Sequence, residues 1–236
     1  SNWQLSEDKQ QIIFSENKNI YFDRLINCAG LQADKIAHRF GIGEKYTLMP
    51  FKGVYYQIKP SSEISIRTNL YPVPDLNLPF LGVHFTPAAD KFSPVSIGPT
   101  ASLAFGRENY RGLQAIEPFM TLGNINKLAG QYLQNKGGFR KYVHNQAFLS
   151  LPSPFLGAAK DLIPILQSKD IELSQKVGIR SQLFNNEINK LEDDFLCLKG
   201  ENSIHILNAI SPAFTASFSL ADHIIDEYIL KTPNKS

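Results

Sequence analysis

His84 stands in the run Leu81-Gly82-Val83-His84-Phe85, which reads as a strand. Imidazole is the side chain whose ordinary pKa lies near neutrality, so a histidine held on a strand suits the removal of a hydroxyl proton. The same pattern fits a hydrogen-bonded core histidine, and both readings stay open. Arg180 ends Val177-Gly178-Ile179-Arg180, and a guanidinium among apolar neighbours must find an anion or reach water. A structural ion pair with Asp193 or Asp194 would satisfy it, as would an anionic ligand. Lys52, Tyr55 and Tyr56 follow Pro50-Phe51. Side chains alternate along a strand, so at most one of the two tyrosines faces a site directly. Tyr71 and Thr86 are further hydrogen-bonding candidates. Arg107, Tyr110 and Arg111 read as a solvated basic loop.

A second group surrounds a turn. Cys28-Ala29-Gly30-Leu31 joins a β-prone run to a helical one, the arrangement in which a helix N-terminus can face a bound anion. Small residues there let backbone approach a ligand, although packing alone asks for the same residues. Cys28 has no activating histidine or cation near it in sequence and reads as a packed thiol. Ser211 and Pro212 precede Ala213, Phe214 and Thr215, and suit the N-cap and first turn of a last helix.

The elements that must position these residues change character along the chain. Gln11 to Ser15 and Asn19 to Asn27 form a predicted hairpin about Glu16-Asn17-Lys18, and Leu31 to Phe40 has helical apolar spacing stopped by Gly41. Tyr46 to Thr100 reads as antiparallel β, with runs at Gly53 to Lys59, Ser65 to Pro72, Pro79 to Thr86 and Pro94 to Pro99. Helices follow at Met120 to Lys136, Gly138 to Phe148 and Pro154 to Gln167. Strands return at Gln175 to Phe184, Asp193 to Leu198 and Ser203 to Leu207, before a helix from Ala213 to about Leu230. The expected fold is α+β. An α/β part made of residues 1–45 and 175–236 is interrupted by a mixed antiparallel sheet domain, residues 46–174, with a helical insert near 117–170.

Composition narrows the function. With 236 residues, 43% apolar and 19% charged, the chain has ordinary globular composition. Lys and Arg number 24 against 22 Asp and Glu, a net +2 that argues against nucleic-acid binding. The histidines (38, 84, 144, 205, 223) lack metal-ligand spacing, and the two cysteines, Cys28 and Cys197, form no C-x-x-C. No metal site is therefore expected, and a reducing compartment fits best. No apolar run approaches the ~20 residues that span a bilayer, and Ser-Asn-Trp-Gln does not resemble a signal peptide. G-x-G-x-x-G, P-loop, G-x-S-x-G and H-E-x-x-H are all absent.

INCAGLQAD (26–34), MPFKGVYY (49–56), LYPVPDLNLPFLGVHFTP with VSIGP (70–99), GIRSQ (178–182) and NAISPAFTAS (208–217) occur in that order. Together they closely resemble the L-2-hydroxyglutarate oxidase/dehydrogenase branch of the FAD-dependent D-amino-acid-oxidase-like superfamily, from about Tyr21 to Ile225. The resemblance implies FAD as cofactor, with Cys28, Ala29, Gly30, Leu31, Ser211, Pro212, Ala213 and Thr215 beside it. The last helix would then point its positive end at the flavin. It implies a dicarboxylate substrate, His84 as base, and Arg180, Lys52, Tyr56, Tyr71 and Thr86 as substrate contacts, with oxygen or a membrane quinone accepting electrons. Another superfamily activity, on an amino acid or glycerol 3-phosphate, is the alternative, as is a flavin-free relative. The family's Rossmann glycine turn has no counterpart here, so this chain alone is expected to hold FAD weakly, to be inactive and to expose surface for self-association. The expected location is the cytoplasm, or the inner face of a membrane as a peripheral protein.

Overall fold

The computed structural model describes residues 3–6, 8, 10–14, 18–73, 82–90, 93–135, 138–210 and 212–231. Its first elements are β1 (Trp3–Leu5), β2 (Gln11–Phe14), β3 (Asn19–Tyr21), β4 (Leu25–Asn27), a 3-10 turn at Gly30–Gln32 and α1 (Ala33–Arg39). The middle holds β5 (Tyr46–Ile58), β6 (His84–Thr86), β7 (Ser96–Gly98), β8 (Ser102–Leu103), α2 (Pro118–Gln134), α3 (Phe139–Leu149) and α4 (Pro152–Lys160). The chain continues through β9 (Ile171–Asn185), β10 (Lys190–Leu191), β11 (Leu196–Lys199), β12 (Ser203–Asn208) and α5 (Ser217–Ile225), which closes in a π-type turn at Asp226–Leu230. This is the expected α+β mixture. It divides into two units, one of residues up to Met49 and from Ser181, the other Pro50–Arg180.

In the first unit, β1, β2 and β3 form an antiparallel meander, and β4 leaves it to run parallel to β12 in the order β11-β12-β4. The sequence suggests a single strand over 19–27, whereas the structure splits it. Phe22 N still donates to Gln10 O, but Leu25 N donates to Asn202 O, so the backbone changes partners across a bend at Asp23. Of the predicted hairpin turn, Glu16 and Asn17 lie outside the described residues. Ala33 and Ala37 of α1 are fully buried against Tyr46, Leu183 and Leu207. Their small side chains let the helix lie close to the parallel strands. Asp34, in the first helical turn, accepts from Leu48 N at 3.1 Å, which ties the helix start to β5.

In the second unit the sheet order is β9-β5-β7-β6, with β8 also on β5. The pairs involving β6, β7 and β8 are antiparallel. Phe85, Ile97, Ile58 and Ile171 cover one sheet face and pack with Phe155 and Ala159 of α4. Each large side chain so buried stabilises by about 1.5–3 kcal/mol. The run Ser65 to Pro72 contributes a single bridge, Leu70 to Phe85, rather than a strand. α4 ends at Lys160, earlier than the apolar pattern suggests. Pro164 lacks an N–H and its ring would collide with the Lys160 carbonyl if the helix continued.

Candidate functional site

Register and alternation decide which side chains of the second unit share a face. Phe85 and Tyr56 both lie opposite Ile97, and all three point to the core, where the Tyr56 ring sits 4.3 Å from that of Phe155. His84 lies opposite Gly98 and Thr86 opposite Ser96, so these residues, with Tyr55, look the other way. β9 extends this second face. Gln57 Nε2 donates to Glu172 Oε1 at 2.8 Å, Lys176 Nζ stands 4.7 Å from the Tyr55 ring centre, and a Cβ on Gly178 would meet that ring at 3.9 Å. Alternation adds Arg180 to the same row. Gly98, at φ +133°, lets β7 pass close: a Cβ there would stand 3.2 Å from Val54 O.

His84 is half-buried, and its ring stacks on Tyr71 with centroids 4.7 Å apart. Its Nδ1 is 2.9 Å from Gly82 O. A carbonyl only accepts, so Nδ1 carries the proton and Nε2 keeps its lone pair. Burial pushes the imidazole pKa below its ordinary value; the Gly82 carbonyl opposes this and the Lys176 ammonium adds to it. The result is a neutral base with a defined tautomer at physiological pH.

Arg180 is largely withdrawn from water. Burial lowers its pKa, and the Tyr142 phenol of α3 acts in the opposite sense. Asp193, a proposed structural partner, forms an ion pair with Lys190 at 2.8 Å. The structure therefore brings His84, Thr86 and Arg180 to one face, with Tyr71 stacked on the histidine. It does not bring Tyr56, which packs in the core. Nor does it bring Lys52: alternation puts that residue with Tyr56, and its ammonium donates to Asn109 Oδ1 at 3.1 Å. Tyr55 and Lys176 take their places on the polar face. The signal for Lys176 was present in sequence, since Lys176, Gly178 and Arg180 recur with period two.

In the first unit, Cys28, Ala29 and Gly30 are exposed on the turn after β4. Cys28 is thus not the packed thiol that the sequence suggests. Gly30 has φ +52° and a Cβ there would meet nothing within 4 Å, so bare backbone borders open space. Cys28 and Ala29 also line a cavity of about 450 Å³ with Ile26, Asn27 and Ile36. Unhindered backbone beside a cavity fits a bound cofactor; Leu31 continues the turn. Ser211 lies outside the described residues. Pro212, Ala213 and Thr215 precede the last helix rather than opening it. Ala213 N donates to Ile210 O and Ala216 N to Pro212 O in successive turns, and α5 begins only at Ser217, with no side-chain cap.

Other candidates resolve simply. Arg107 is buried, not solvated, and pairs with Glu117 at 3.9 Å, because the chain folds Glu117 back over it. Burial pushes the Cys197 thiol up to about 11, which leaves it protonated and unreactive. Among the described residues no group of His, Cys, Asp and Glu is placed to hold a metal, and no helix is long and apolar enough to cross a membrane.

Comparison with known proteins gives concordant findings. The model of the family described as FAD dependent oxidoreductase matches residues 3–227. The L-2-hydroxyglutarate dehydrogenase of Indibacter alkaliphilus is 35% identical over 236 residues, covering 96% of this chain and 55% of that protein. The mitochondrial L-2-hydroxyglutarate dehydrogenase of Bos taurus is 34% identical over 209 residues, covering 86% of this chain and 44% of that one. The chain spans about half the length of these curated relatives. A solved structure, the dithionite-reduced L-alpha-glycerophosphate oxidase of Mycoplasma pneumoniae with FAD bound, shares the fold. Its TM-score is 0.58 at 16% identity, over 95% of this chain and 48% of that one.

Proposed function

Because the chain belongs to the family of FAD-dependent oxidoreductases, we propose that the whole protein oxidises L-2-hydroxyglutarate to 2-oxoglutarate. The names of its relatives support the substrate. The observation that carries the chemistry is His84, whose Nδ1 is engaged by Gly82 O, so that Nε2 keeps its lone pair on the face shared with Tyr55, Lys176 and Arg180. FAD, when bound, supplies the acceptor for the hydride that leaves C2 of the substrate. His84 Nε2 takes the hydroxyl proton as the C2–O bond becomes a carbonyl. Arg180 holds a carboxylate, Tyr71 fixes the plane of the imidazole and Thr86 offers a hydroxyl one strand step beyond it. Cys28, Ala29, Gly30 and Leu31 would hold the cofactor from the turn after β4, and Pro212, Ala213 and Thr215 from the turns before the last helix, with Ser211 proposed beside them. Electrons pass finally to oxygen or to a membrane quinone, with the protein in the cytoplasm or resting on the inner face of the membrane. Phe214 and Phe218, 94% and 86% exposed, support self-association of this chain in isolation.

The test is anaerobic flavin absorbance of the whole protein as L-2-hydroxyglutarate is added, beside the D-isomer, glycerol 3-phosphate and D-amino acids. Bleaching by the L-isomer alone is expected. Bleaching by another compound instead removes the substrate assignment, and a preparation without flavin removes the enzymatic one.

A further inference from the structure

Lys176 and Arg180 lie four residues apart on β9, with Gly178 midway, and alternation sets all three on one face. At a rise of about 3.3 Å per residue the two cations spring from points about 13 Å apart. Between them the strand offers only a glycine, and beside that glycine stands Tyr55, with the strand that carries His84 further across the same sheet beyond β7. A five-carbon dicarboxylate separates its charges by four bonds of about 1.5 Å. With a charge-assisted contact of about 2.8 Å at each end, it spans nearly the same length.

Resting on the reading of this face as the substrate site, we propose that Lys176 and Arg180 are the two cations that select a dicarboxylate. Lys176, rather than Lys52, is then the second carboxylate anchor. Tyr55 holds the Lys176 ammonium over its ring without neutralising it. The ammonium is therefore steered before the ligand arrives, which reduces the ordering cost of binding. Lys52, by contrast, already donates to the buried Asn109, whose Nδ2 is itself fixed to Gly112 O and Gln114 O. The floor at Gly178 bears on chain length, since any side chain there would stand between the two cations.

The experiment is calorimetric titration of the whole protein with glutarate and with pentanoate, which has the same five carbons but one carboxylate. Wild type is expected to bind glutarate at least tenfold more tightly. Lys176→Met is expected to erase that margin, and Lys176→Arg to restore most of it. Lys176 is exposed, so these variants test the charge rather than the fold. A margin that survives Lys176→Met, or that is lost in Lys52→Met instead, overturns the assignment of Lys176 and leaves the dicarboxylate reading standing. Wild type that does not prefer glutarate to pentanoate overturns both.

Discussion

Asn27 and His205 face one another across the parallel pair of β4 and β12, and Asn27 Nδ2 donates to His205 Nδ1 at 3.0 Å. The same amide donates to Ala33 O at 2.8 Å, while Asn27 Oδ1 accepts from Ala29 N at 3.2 Å. His205 Nε2 then donates to Ser203 Oγ at 2.9 Å. One neutral imidazole tautomer thus fixes the asparagine that shapes the turn at Cys28, Ala29 and Gly30. Nothing in Ser203-Ile204-His205-Ile206 by itself reveals a partner 178 residues away.

Stability should depend on pH through this pair. Burial pushes the His205 pKa down to about 4 from its ordinary 6.5. Between these values the unfolded chain takes up a proton that the folded protein refuses. Stability is therefore full above about pH 6.5 and falls by roughly 1.4 kcal/mol per unit as pH drops towards 4. Urea unfolding of wild type and His205→Gln across that range checks it: the wild-type midpoint should fall more steeply. Equal slopes would count against the pair.

Replacing His84 should damage the reaction more than the fold. His84→Asn in the whole protein is expected to lower kcat by about 10²–10⁴. The base works unprotonated, so activity is lost as pH falls through the His84 pKa, which burial and Lys176 hold below 6.5. Lys176→Gln removes a repelling charge and should move that acid limb to higher pH. The pH profile of kcat/KM reads both effects, and an unmoved limb would separate Lys176 from His84.

Gly30→Ala probes the turn. Its φ of +52° costs an alanine about 1–2 kcal/mol, although the added methyl meets no neighbour. The substituted whole protein should fold, with a slightly lower Tm, and carry less flavin per chain. Absorbance ratios after desalting measure this, and undiminished flavin content would remove Gly30 from the cofactor site.

Much of this is legible in the amino-acid sequence. The period-two runs located β6, β7 and most of β9, the apolar spacing located α2 and α3, and the small-residue turn after Asn27 was evident. Four things were not. Alternation says that Tyr55 and Tyr56 point to opposite sides, but Phe155 of α4 decides which side is core. Lys52 looks free in sequence, yet Asn109 receives its ammonium. The β3–β4 break depends on Asn202 capturing Leu25. The last helix starts late because Ile210 O and Pro212 O are taken up in turns.

The amino-acid order by itself determined periodicity, the turn chemistry and the family, because these are properties of near neighbours and of short motifs. It also determined that His84 and Thr86 share a face, as do Lys176, Gly178 and Arg180, since side chains two apart on a strand point the same way. Only the tertiary structure decided which face is buried, which cation stands beside Tyr55 and which asparagine meets His205. Those choices depend on where distant apolar surface is removed from water and on which donors and acceptors that burial leaves opposite one another.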